Sequence, residues 1–168
     1  PTIDLVRRIS SAVALPVAAS GGLMDGSDIR AALEAGAAAA ALGTAFLACP
    51  ESGASAVYKQ AVLSARSDTT VITRAFSGRP ARGLANVFIE TMRRHEAAIL
   101  PYPLQNALTR AMRTAAGQRG DSGYLSLWAG TGVARARALP AAELVRRLAA
   151  ELAGTGASVS SATRHRHR

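Results

Sequence analysis

The spacing of apolar residues changes several times along the chain, and each change marks an element. Over residues 2–13, Leu5, Val6, Ile9 and Val13 form one helical stripe, with Thr2 placed to cap it and Asp4 in its first turn. Pro16 then opens a short apolar run, Val17-Ala18-Ala19, which reads as a strand ending in Ser20-Gly21-Gly22. Asp25 or Ser27 can cap the next helix, whose apolar face is Ile29, Ala32 and Leu33, and Gly36 suits its left-handed stop. Residues 38–42 are a second apolar strand, followed by Gly43-Thr44. A helix over 55–66 turns Val57, Tyr58, Ala61, Val62 and Ala65 inward, and the β-branched run 69–74 predicts a strand. Residues 75–83, punctuated by Gly78, Pro80 and Gly83, predict a loop. Asn86 caps a helix running to Ile99, with Phe88, Met92, His95 and Ile99 on one face. Leu100-Pro101-Tyr102-Pro103 cannot continue it. A helix over 104–116 turns Leu104, Leu108, Met112 and Ala115 inward, and 117–123 is a polar linker. Residues 124–128 are short and apolar, 129–132 turn, and Pro140 opens a last helix lined by Leu144, Leu148 and Leu152 that stops at Gly154.

The stretch 16–44 has the length of a βαβ unit, so its two strands are expected to run parallel, with a right-handed crossover. Both glycine turns then fall at one edge of the sheet. Main-chain N–H groups beside Gly21, Gly22 and Gly43, with the hydroxyls of Ser20 and Thr44, can converge on one anion. A phosphate shared by two neighbouring strand ends is the arrangement found after strands seven and eight of a (β/α)₈ barrel.

Composition narrows the reading. The chain has 168 residues, whereas a (β/α)₈ barrel typically needs about 250. The expectation is therefore an α/β chain carrying the C-terminal part of a TIM (β/α)₈ barrel, its last two βα units, plus a mostly helical segment. The expected divisions are 1–66 for the barrel units, 67–126 for a cap or substrate segment, 127–152 for a return segment and terminal helix, and 153–168 for a disordered basic tail. Hydrophobic residues make up 49% but aromatics only 4%, so close packing of small side chains must supply much of the core. The net charge is +9, and Lys59 is the only lysine among 20 basic residues. That excess reads as coding bias toward arginine, because no basic patch interleaved with aromatics and no nucleic-acid motif accompanies it. No run is long enough to span a membrane, and no leader pattern is present. A single cysteine, Cys49, excludes an internal disulfide and predicts a reducing, cytoplasmic setting. It reads as a small buried hydrophobe, not a nucleophile. His95 reads as a packed histidine, Arg79 and Arg82 as solvated loop residues, and Trp128 as a core side chain. His165 and His167 alternate with arginines, which disfavours a metal site, and none is assigned.

Four stretches in this order, PVAASGGLMDG with LGTAFL, TRAFSGRPARGLAN, LPYPLQN and LWAGTG, together resemble the nitronate monooxygenase family, over residues 1–152. The resemblance implies an FMN-dependent oxidoreductase that oxidises alkyl nitronates with O₂. It implies that Ser20, Gly21, Gly22, Gly43 and Thr44 hold the FMN phosphate. The family's base is a histidine in a Gly-Gly-His-x-Gly type stretch before strand seven. That stretch is absent here, none of the three histidines matches it, and no catalytic residue is assigned; activity of this chain alone is not expected. Ala41 and Thr131 stand where the family often carries glutamine. The alternatives are a flavin-type enoyl-acyl-carrier-protein reductase barrel, which shares the phosphate motif, and a non-catalytic basic binding module. Two strands taken from an eight-stranded barrel leave open edges, which predicts dimerisation or aggregation.

Overall fold

The computed structural model describes residues 1–154. Of the tail expected to be disordered, Ala153 and Gly154 instead close the terminal helix, and residues 155–168, with His165 and His167, lie outside the described residues. Helix α1 (Thr2–Ala12) leads into strand β1 (Ala18–Ser20), helix α2 (Gly26–Glu34) and strand β2 (Ala39–Ala41). β1 and β2 pair in parallel, with Ala18 opposite Ala39, Ala19 opposite Ala40 and Ser20 opposite Ala41. The parallel pairing expected of a βαβ unit holds, with strands of three residues each. Asp25 caps α2, its carboxylate accepting from the Asp28 N–H at 3.0 Å, and Gly36 leaves the helix at φ +99°. Val6, Ala19, Leu23, Ala32, Ala35 and Ala37 form the buried cluster between these elements. Four of the six are alanines, which lets helix and strand backbones approach closely.

Two details of α1 differ from the sequence reading. Thr2 does not cap the helix; Pro1 holds that position without a side-chain bond, and the Thr2 hydroxyl donates to the Gly21 carbonyl at 2.8 Å. Of the apolar stripe only Val6 is buried, while Leu5 and Val13 are 55% and 43% exposed.

Helix α3 (Ala56–Leu63), capped by Ser55, buries Val62 against Leu84, Leu127 and Val133. Strands β3 (Thr70–Thr73) and β4 (Ala81–Leu84) form an antiparallel hairpin, so part of the stretch expected to be loop is strand. Pro80 ends the loop and β4 begins after it, with Gly83 bridging onward to Trp128. A Cβ on Gly83 would sit 2.8 Å from the Leu127 carbonyl oxygen, so the small residue read as loop punctuation is what admits this third segment.

Helix α4 (Val87–Arg93), capped by Asn86, stops well before Ile99. Its end tightens into bonds from Arg94 N to Thr91 O and from His95 N to Met92 O. His95 therefore leaves the apolar face and is exposed, not packed. The helix expected over 104–116 is two helices, α5 (Leu104–Leu108) and α6 (Arg110–Arg119), and α6 takes part of the expected linker. The buried face of α5 is also not the apolar one. Leu104 and Leu108 are 57% and 66% exposed, while Gln105 and Thr109 are buried. Gln105 Nε2 donates to the Ala75 carbonyl at 2.6 Å, and Thr109 Oγ1 donates to the Phe76 carbonyl at 2.7 Å. Two carbonyls beside the fully buried Phe76 need donors, and that need decides which face turns inward. Phe76 centres an aromatic group, 4.9 Å from Phe88 and edge-on to Trp128 at 5.9 Å. Trp128 packs on this group, but it stays half-buried and is not the core side chain expected.

Helix α7 (Ala141–Ala153) returns the chain to α2, burying Leu144 and Leu148, and ends at Gly154 with φ +76°. The crossing is close: a Cβ on Gly26 would lie 2.3 Å from the Leu152 backbone nitrogen. Glu151 ties the two helices, accepting from Gly26 N at 2.9 Å and from Arg137 Nη1 at 2.6 Å. Among the described residues, no helix is long and apolar enough to cross a membrane.

Candidate functional site

Both glycine turns leave the parallel pair at its C-terminal edge. Ser20 ends β1, and Gly21 and Gly22 follow at φ +118° and +76°, a region that L side chains rarely adopt. Gly43 and Thr44 follow β2, and a Cβ placed on Gly43 would meet nothing within 4 Å. The space above that turn is open.

A third turn, Gly130-Thr131-Gly132, completes the group. Gly130 N donates to Thr44 Oγ1 at 2.9 Å. A Cβ on Gly22 would lie 2.9 Å from Thr131 Oγ1, and one on Gly130 would lie 3.5 Å from Gly22 N. Three turns separated by up to 110 residues thus meet around Gly22 and Thr44. The Thr44 hydroxyl accepts from Gly130, so its own hydrogen is available to a ligand. The assembly can do one thing well: present small residues, main-chain amides and hydroxyls to a compact anion.

Arg135, one turn beyond Gly132, braces the site from outside. Its guanidinium reaches Asp25 at 2.5 Å, Asp28 at 2.8 Å and the Gly22 carbonyl at 3.2 Å. Burial pushes the Asp25 carboxyl up, but the Ser27 hydroxyl, the Asp28 N–H and Arg135 outweigh it and hold the carboxyl below its ordinary value. The same three-turn region is tied to α3 by Tyr58, whose hydroxyl donates to the Trp128 carbonyl at 2.5 Å. Burial raises that phenol to about 12, against a smaller opposing effect of the hydrogen bond.

The other candidate residues sit elsewhere or are already engaged. Cys49 is 1% exposed, and burial followed by the nearby Glu51 charge raises its thiol, which keeps it inert. Arg79 stacks over the Tyr102 ring at 4.3 Å, and Arg82 donates to the Thr70 carbonyl at 3.2 Å. Neither is simply solvated, as the sequence suggested. The residues not assigned from sequence were Gly130 and Thr131, together with Thr2 and Arg135. LWAGTG marked the first pair as a motif, but nothing local says which turn it meets.

A family model described as nitronate monooxygenase matches residues 1–151. The chain belongs to the nitronate monooxygenase family. A nitronate monooxygenase from Pseudomonas aeruginosa is 47% identical over 154 residues, covering 91% of this chain and 44% of the relative. A probable nitronate monooxygenase from Staphylococcus aureus is 44% identical, over 77% of this chain and 36% of its own length. Among solved structures, nitroalkane oxidase from Streptomyces ansochromogenes superposes with a TM-score of 0.84 at 47% identity, over 92% of this chain and 44% of that one. FabK from Thermotoga maritima superposes at 0.78 with 30% identity, over 92% and 49%. The α/β fold is thus shared with both, and the chain spans less than half the length of these nitronate monooxygenase relatives.

Proposed function

We propose that the three turns form the phosphate end of an FMN site, in an oxidoreductase that oxidises alkyl nitronates with O₂. The observation that carries the reading is the meeting of Thr44 with Gly130 beside Gly22. The residues fit a phosphate. Gly43 leaves open space where a side chain would otherwise intrude, and Gly22 has no Cβ to crowd the Thr131 hydroxyl. In this proposal Ser20, Gly21, Gly22, Gly43 and Thr44 bind the phosphate, and Gly130 orients the Thr44 hydroxyl toward it. The bound flavin would supply the redox chemistry. Residues 1–66 would be the last two βα units of a TIM barrel, and residues 67–126 its cap.

No proton-transfer residue is proposed within the chain. His95, the sole histidine among the described residues, is exposed on the turn after α4 and is remote in sequence from all three turns. An enoyl-reductase type of chemistry is the second reading, favoured by the likeness to FabK; the higher identity to nitronate monooxygenases favours the first.

The test is titration of FMN into the chain by flavin fluorescence quenching, beside Gly43→Asp. The carboxylate would enter the open space and repel a dianion. Saturable binding to the parent and a loss of at least tenfold in the variant are expected. Equal binding by the two would overturn the reading.

A further inference from the structure

We infer that Thr2 and Arg135, both outside the glycine motifs, are positioning residues that aim the donors of the first turn. The inference rests on the phosphate reading above. A trans peptide is planar, so its C=O and the next residue's N–H point in opposite directions. Holding a carbonyl on one side therefore fixes the following amide on the other. The Thr2 hydroxyl holds the Gly21 carbonyl at 2.8 Å, which sets the direction of the Gly22 N–H. Arg135 Nη2 holds the Gly22 carbonyl at 3.2 Å, which sets the Leu23 N–H.

This control is needed where it is found. Gly21 and Gly22 both have positive φ, and glycines rotate freely between such conformations and their mirror forms. Without restraint, the two peptides could turn over and present carbonyl oxygens to an anion in place of amides. The Gly22 nitrogen lies 3.5 Å from the Cβ position of Gly130, beside the Thr44–Gly130 hydrogen bond, where the three turns meet.

Arg135 is itself held rigidly, because its two nitrogens also pair with Asp25 and Asp28 at the start of α2. Asp28 in turn accepts from Met24 N at 2.7 Å. The planar fork reaches three acceptors at once, which a lysine ammonium on a flexible stem cannot reproduce.

The experiment compares affinities for FMN and riboflavin, which differ only in the phosphate, on the whole chain and on Thr2→Val, Thr2→Ser, Arg135→Met and Arg135→Lys. The parent is expected to prefer FMN. Thr2→Val and Arg135→Met should each cut that preference about five- to tenfold, the scale of one oriented hydrogen bond. Thr2→Ser should restore it, and Arg135→Lys should not. General damage to the fold would weaken both ligands together and leave the ratio unchanged. A parent preference that survives Thr2→Val and Arg135→Met overturns this inference alone. A parent that binds FMN no more tightly than riboflavin overturns the phosphate reading, and this inference with it.

Discussion

Gln105 shows how one polar residue can outrank a stripe of leucines. Its amide donates to the buried Ala75 carbonyl at 2.6 Å and accepts from Leu100 N at 3.1 Å. Leucine at that site would fill similar space while leaving both backbone groups without partners. Gln105→Leu is therefore expected to lower unfolding free energy by about 1–3 kcal/mol, read from urea melts, despite its greater hydrophobicity. An unchanged midpoint would show that water replaces the amide. Residue by residue, the glycines and caps were the most legible. Asn86 caps the helix the sequence assigned to it, and Asp25, one of two candidates, caps α2, because a cap bonds an amide only two or three positions away. Thr2 was misread for the converse reason: its partner, Gly21, is 19 residues away.

At the scale of elements, the α2–α7 crossing depends on one carboxylate. Burial works against the charged Glu151, but Arg137, the Gly26 N–H and the Arg137 charge hold its carboxyl below the ordinary glutamate value, against a smaller opposing effect of Asp25. The sign follows. A depressed folded-state value means that the unfolded chain takes up the proton first as pH falls. The contribution is complete above the ordinary glutamate value of about 4.3. It is lost as pH falls through that value toward the lower folded one. Glu151→Gln should be less stable than the parent at pH 7, and the gap should close below about pH 4, followed by thermal melts across that range. A gap independent of pH would assign Glu151 a packing role only. Element types from α1 to α3 followed the hydrophobic period. The boundaries in 75–119 did not, because β4, the short α4 and the α5–α6 break answer to long-range partners such as Trp128, Ala75 and Phe76.

For the molecule as a whole, the exposed apolar surface of α1 and of the segment that follows it stands out. Leu5, Val13 and Leu15 are 55%, 43% and 75% exposed, beside a sheet of only two parallel strands. Apolar side chains next to open strand edges favour self-association. Light scattering should find the chain dimeric or larger at micromolar concentration, and Leu5→Gln with Leu15→Gln should shift it toward monomer. A parent that is monodisperse and monomeric would refute this.

The sequence by itself determined the parallel βαβ unit, the stops at Gly36 and Gly154, and the family. Those features depend on local spacing, on glycine's freedom at positive φ and on motifs read in order. Tertiary structure alone decided that Gly130 and Thr131 join the turns after β1 and β2, that Thr2 and Arg135 grip the carbonyls of Gly21 and Gly22, and that α5 buries its polar side. Each of these is a hydrogen bond or close approach between residues far apart in the chain. Period and propensity describe only neighbours, whereas a buried carbonyl takes whichever donor the fold brings within reach.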